Sequence, residues 1–152
     1  MSIGSSVHDK KFMMLALEEA AKALKTGEVP IGAIAVMNDG VIGTAHNMRE
    51  ATKNPLGHAE ILLMEQIIKK DVLPSWRFDD VTIYITCEPC IMCMAAMREA
   101  RVKEIFYGCK NPSLSPGTHT FLEKYMSPKI EGGIMADECG KLLSSFFKNL
   151  RQ

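Results

Sequence analysis

Residues 81–107 read VTIYITCEPCIMCMAAMREARVKEIFY. Val81 to Thr86 and Val102 to Tyr107 are rich in β-branched and aromatic side chains, which predicts a strand at each end of the stretch. Between them Pro89 opens a run in which Met92, Ala95, Ala96 and Met97 recur at helical spacing. Proline is tolerated at a first helical position, where its missing N–H has no partner to lose. A strand, a helix and a strand in this order make the two strands parallel neighbours, because parallel pairing needs a long crossover. The stretch therefore sets the fold class as α/β.

Working outward, Ile31 to Met37 and Val41 to Ala45 are apolar runs joined by Asn38-Asp39-Gly40, the signal of a tight hairpin. Phe12, Leu15, Ala16, Ala20, Ala23 and Leu24 mark a helix before them, with Asp9 as its expected cap and Gly27 just past its end. Met48 to Gly57 reads as a polar loop and Ala59 to Lys70 as a second helix. Downstream, Gly108 to Gly117 reads as a surface loop, of the kind that often carries function. Phe121 to Met126 is an expected short helix, Lys129 to Met135 a weak strand broken at Gly132-Gly133, and Ala136 to Leu150 an amphipathic closing helix. Strands alternating with helices in this way imply a sheet covered by helices on both faces.

The chain has 152 residues, of which 47% are hydrophobic and 24% charged, within the range of one globular domain spanning residues 1–152. A chain of this size buries roughly two-thirds of its unfolded surface, so no metal staple is needed to fold it. Eighteen basic residues balance 18 acidic ones, so net charge gives no reason to expect a polyanionic partner, and nucleic-acid binding has to rest on local features. No apolar run is long enough to span a bilayer. Five cysteines, three of them within 87–93, suit metal ligation in a reducing compartment, and a cytoplasmic location is expected.

Two short segments carry the chemistry: His58-Ala59-Glu60 and Pro89-Cys90-Ile91-Met92-Cys93, each at the entry to an expected helix. Cys90 and Cys93 stand three apart on one helical face, where the helix N-terminus favours thiolates. Two thiolates and the His58 imidazole suit zinc, and three protein ligands leave the fourth tetrahedral position for a water whose pKa the metal lowers toward neutrality. Glu60 lies too close to His58 in sequence to share its helical face, which suits a proton carrier better than a ligand. The alternative is a closed structural site with Cys87 as a further thiolate beside His58. An iron–sulfur site lacks a fourth cysteine at matching spacing. His8, His46 and His119 read as surface histidines, and Met92, Met94 and Met97 as packing.

With these segments in view, the sequence resembles the cytidine-deaminase-like zinc deaminases, and within them the bacterial tRNA-specific adenosine deaminases. The stretches that carry the likeness are Glu28-Val29-Pro30-Ile31-Gly32-Ala33, Asn47, His58-Ala59-Glu60, Thr86 to Cys93, Ala136-Asp137-Glu138-Cys139 and Leu142 to Phe147. Gly57 stands where alanine is usual before the histidine, and Asn111 where an aspartate is typical. The resemblance implies a three-layer α/β/α sandwich around a five-stranded mixed sheet. It also implies one Zn2+ per subunit, a homodimer, and hydrolytic conversion of adenosine to inosine at the wobble position of a tRNA anticodon loop. By the same likeness Asn47 bonds the purine or its ribose, the Ala59 N–H faces the C6 substituent, Pro30 and Ile31 line the base pocket, and Phe146, Phe147, Lys148 and Arg151 lie beside the RNA. Lys10-Lys11, Lys69-Lys70 and Lys110 are further cations that could meet phosphates. Two other functions are weighed: a small-molecule deaminase acting on guanine, cytosine or a related ring, and a non-catalytic partner subunit, whose mark would be a replaced Glu60.

Overall fold

The structure, a computed structural model, describes residues 6–115 and 128–150. Among these the elements run α1 (Val7–Lys25), β1 (Gly32–Met37), β2 (Gly40–His46), α2 (Arg49–Thr52), α3 (Ala59–Lys70), β3 (Thr82–Cys87), α4 (Ile91–Glu99), β4 (Glu104–Cys109), β5 (Lys129–Glu131) and α5 (Ala136–Leu150). The expected helix at Phe121 to Met126, the last residues of the Gly108 to Gly117 loop, His119 and Arg151 lie outside the described residues.

The five strands form one sheet in the order β2-β1-β3-β4-β5. β1 is antiparallel to both of its neighbours, while β3, β4 and β5 run parallel. β1 thus runs against the other four strands. The carboxyl ends of β2, β3, β4 and β5 gather with the amino end of β1 along one border, and open α/β sheets bind ligands outside strand carboxyl ends. The hairpin turn is the expected one: Asn38 and Asp39 both adopt left-handed φ, 51° and 63°, between the paired Met37 and Gly40.

Side chains alternate across the sheet, as the pleat requires. Ala33, Ala35, Ile83, Ile85 and Ile105 pack with Leu63, Ile67, Met94 and Met97 of α3 and α4. Ile34, Val36, Tyr84 and Phe106 pack with Phe12, Met13 and Ala16 of α1 and Cys139 of α5. The result is the three-layer sandwich with a mixed five-stranded sheet. On the α1 face Phe12, Tyr84 and Phe106 form a ladder of rings with centroids 5.3 and 5.2 Å apart, each worth on the order of 1.5–3 kcal/mol in burial. Gly32 lets α1 lie close on β1, for a Cβ there would run into Ala16 O and Ala20 N.

Four local expectations change. Ser6, not Asp9, caps α1: its Oγ accepts from Asp9 N–H at 3.0 Å. Asp9 lies inside the first turn because its carboxylate is occupied, accepting from Tyr84 Oη and Ser6 Oγ, each at 2.6 Å. Pro89 stands outside α4, with Cys90 at the cap position. The Met48 to Gly57 loop contains the one-turn α2. His46, expected at the surface, is partly buried and its Nδ1 lies 2.8 Å from Glu19 Oε2, with Lys22 Nζ 2.7 Å from the other oxygen.

The outer border of β2 is occupied by α3. Thr44 N–H donates to Gln66 Oε1 and Gln66 Nε2 donates to Thr44 O, both at 3.0 Å, while Lys70 Nζ donates to Ile42 O at 3.1 Å.

Candidate active site

α3 and α4 both begin at the border where the strand ends gather, and each presents its first residues to the same point. His58 is the cap residue of α3 and Cys90 that of α4, with Cys93 in the first turn. The His58 Nδ1 atom lies 3.6 Å from both Cys90 Sγ and Cys93 Sγ, and the three ligand atoms all fall within 4.8 Å of one another. A tetrahedral zinc with Zn–S of about 2.3 Å and Zn–N of about 2.0–2.1 Å sets sulfur and nitrogen roughly 3.6 Å apart. The donor set and its spacing therefore fit Zn2+. A hydrogen bond from the Cys93 thiol, helped by the Cys93 N–H and by His58, overcomes burial and lowers the Cys90 thiol to about 5. The same bond and burial hold the Cys93 thiol up, and a bound ion would claim both sulfurs as thiolates.

Cys87 does not join this group. It stands opposite Cys109 in the parallel β3–β4 ladder, and its hydrogen bond with Cys109 together with burial pushes its thiol up. That removes the closed four-ligand alternative, and all five cysteines are free.

Glu60, the second residue of α3, is 4% exposed. Burial raises its carboxyl above the ordinary range, against hydrogen bonds from the Cys93 thiol and a backbone N–H. It reaches a cavity of about 410 Å³ that also meets His58, Cys90, Asn47 and Ile31. Asn47 is fixed by its own N–H donating to Ile31 O at 3.1 Å. Its Oδ1 accepts from Ala59 N–H at 2.9 Å. That bond turns the amide NH2 into the group left to donate, and it corrects the expectation for Ala59, whose N–H is engaged by Asn47 rather than free to face a substrate. Pro30 is buried and does not line the cavity; Val29 and Ile31, on either side of it, do.

Several cleft residues were not singled out from the sequence as lining it. Val29 and Arg49 line it, as do Glu88 and Leu143, beside Phe147, which was expected near the RNA. Position two away from a named pocket residue was the available signal for Val29. Glu88 carries the following loop: its Oε1 accepts from Asn111 N–H at 3.1 Å and its Oε2 lies 3.5 Å from Lys110 Nζ. Asn111 Oδ1 accepts in turn from Ser113 N–H at 2.9 Å. Lys110 thus sits beside Glu88 with its side chain 79% exposed, and Lys70, also exposed, donates to Ile42 O.

A His-Cys-Cys ligand set with a buried glutamate at the base of an open cleft is the arrangement of the zinc-dependent hydrolytic deaminases. Residues 6–109 match the model for the zinc-binding region of cytidine and deoxycytidylate deaminases, and the chain belongs to that family. Its relatives include the tRNA-specific adenosine deaminase of Bacillus subtilis (strain 168), 38% identical over 149 residues that cover 95% of this chain and 91% of the relative. Among solved structures it is similar to one from studies of A-to-I editing by tRNA:A34 deaminases at the wobble position of transfer RNA. That likeness has a TM-score of 0.80 and 31% identity, covering 88% of this chain and 99% of the other. A guanine deaminase from Bacillus subtilis is also similar, with a TM-score of 0.63 and 28% identity over 78% of this chain and 77% of that one.

Proposed function

We propose that this chain converts adenosine to inosine at the wobble position of a tRNA anticodon, using one zinc ion held by His58, Cys90 and Cys93. The observation that carries the reading is a zinc-spaced ligand set beside Glu60 at the base of a cleft whose rim is Phe147, 40% exposed on α5. An exposed aromatic at an open rim suits a strand that stacks as it enters. The likeness to tRNA-specific adenosine deaminases supports the same substrate.

Bound zinc would act as a Lewis acid and lower the pKa of a water at its open position. The chain's own groups do the rest. Val29 and Ile31 exclude water from one side of the base, and the Asn47 amide NH2 donates to the purine or its ribose. Ala59 acts through Asn47, and Pro30 by fixing the turn between Val29 and Ile31. Glu60 takes one proton from the attacking water and passes it to the ring nitrogen, then takes the second from the oxygen now bonded to C6 and delivers it to the amine, so that the C6–N bond breaks, the C6 carbonyl forms and ammonia departs. The target carbon is unreachable inside a stacked helix, and an anticodon loop presents it unstacked.

The unit is a homodimer in the cytoplasm on this reading. Leu56 and Ile91, exposed apolar residues beside the two ligand segments, supply surface for a second copy, and five free cysteines fit a reducing compartment. No described helix is long and apolar enough to cross a membrane.

The test incubates zinc-loaded protein and a Glu60→Ala control with an anticodon stem-loop bearing a wobble adenosine, and with free guanine, cytosine and their nucleosides, scoring products by mass. Inosine in the RNA from the wild type alone is expected. Turnover of a free base alone would move the assignment to small-molecule deamination.

A further inference from the structure

We propose that Arg49 determines specificity by binding a backbone phosphate next to the target nucleotide, so that the cleft selects single-stranded polynucleotide over a free base or nucleoside. The inference rests on the deaminase function proposed above and names how that site recognises its substrate. Among the described residues lining the cleft, Arg49 is the one lysine or arginine, and the other charged side chains there besides His58 are the carboxylates Glu60 and Glu88. Glu88 is offset by Lys110 Nζ at 3.5 Å. Lys110 balances Glu88 alone, and Arg49 supplies the positive charge that lines the cleft itself.

Arg49 is exposed, and no hydrogen bond or ion pair holds its guanidinium among the described residues. Its backbone, by contrast, is pinned from three directions. The buried Glu28 carboxylate accepts from Glu50 N–H at 2.9 and 3.0 Å and from Ala51 N–H at 3.2 Å. Asn54 N–H donates to Arg49 O at 3.1 Å, and Met48 N–H donates to Gly57 O at 2.9 Å. At Gly57 a Cβ would stand 3.2 Å from Arg49 N and 3.3 Å from Arg49 Cα, tighter than ordinary contact. Glycine at position 57 thus allows this turn to close on the residue before His58. A fixed root with a free planar fork matches phosphate, which accepts two parallel N–H bonds. A free base has no phosphate, so the contact adds affinity for a polynucleotide alone.

The test compares wild type, Arg49→Ala and Arg49→Lys on the anticodon stem-loop over a range of salt. Arg49→Ala is expected to raise KM about tenfold with a much smaller effect on kcat, and to flatten the plot of log(kcat/KM) against log salt by about 0.7, the loss of one single-strand phosphate contact. Arg49→Lys, which keeps the charge but not the two-pronged fork, should restore the salt slope and recover only part of the KM. Stem-loops carrying a neutral methylphosphonate at one linkage at a time should include one that raises the wild-type KM and leaves that of Arg49→Ala unchanged. Equal KM and equal salt slopes for wild type and Arg49→Ala, with RNA deaminated by both, would overturn this inference alone. A wild type that leaves the RNA untouched while deaminating a free base would overturn the underlying function with it.

Discussion

Asp9 and Glu60 are buried to the same degree, each 4% exposed, at opposite borders of one sheet, and they do opposite things. Asp9 has both oxygens filled, by Tyr84 Oη and Ser6 Oγ at 2.6 Å. Glu60 faces a cleft and a thiol that a metal would claim. Burial alone therefore does not mark a reactive carboxylate. What separates them is whether the neighbours are permanent, and the layers follow suit: the α1 and α5 face holds the ring ladder, while the α3 and α4 face gives its helix starts to ligands.

The largest expected effect sharpens the functional side. Glu60→Gln should lower kcat on the stem-loop by about 10²–10⁴-fold with zinc content by elemental analysis unchanged. Full turnover in that variant would erase the contrast. On the scaffold side, Phe106→Ala should destabilise the fold by about 3–5 kcal/mol in urea unfolding while sparing kcat at low temperature; a comparable loss of kcat would mean that the two faces are not separable. Tyr84→Phe removes one donor from buried Asp9 and should destabilise by about 1–3 kcal/mol. Retained stability would show that Asp9 does not need its lock.

The smallest effect concerns Glu19. Burial opposes its ionisation, but the hydrogen bonds from Lys22 and His46 prevail and lower its carboxyl below the ordinary 4.5. A lowered carboxylate contributes stability that is present above the unfolded value and lost as pH falls through the folded one. Glu19→Gln should thus lower Tm by a few degrees at pH 7, with the difference fading below about pH 4.5. A pH-independent difference would assign the effect to packing.

Much of this was legible in the sequence because it is local. The Asn38-Asp39 turn, the strand, helix and strand of 81–107, and the spacing of Cys90 and Cys93 are each set within a few residues. Long-range contacts were not legible. Asp9 looks like a helix cap until Tyr84, 75 positions away, takes its carboxylate. Ala59 offers an N–H until Asn47 accepts it, and α2 exists because Glu28, 22 residues earlier, receives its first N–H groups. In each case a polar group finds a partner that sequence spacing does not reveal. His58 was legible only through its company, because a histidine becomes a ligand when thiols lie beside it.

The Gln66 carboxamide on Thr44 has a consequence for how the protein behaves in a crowd. A carboxamide carries the same donor and acceptor as a peptide group, so Gln66 sits where the next strand of a neighbouring molecule would otherwise pair, and Lys70 covers Ile42 O further along. An unpaired outer strand is a template for open-ended addition of chains and for fibril growth. Here α3 ends the sheet with its own side chains, which steers association of copies toward other surfaces.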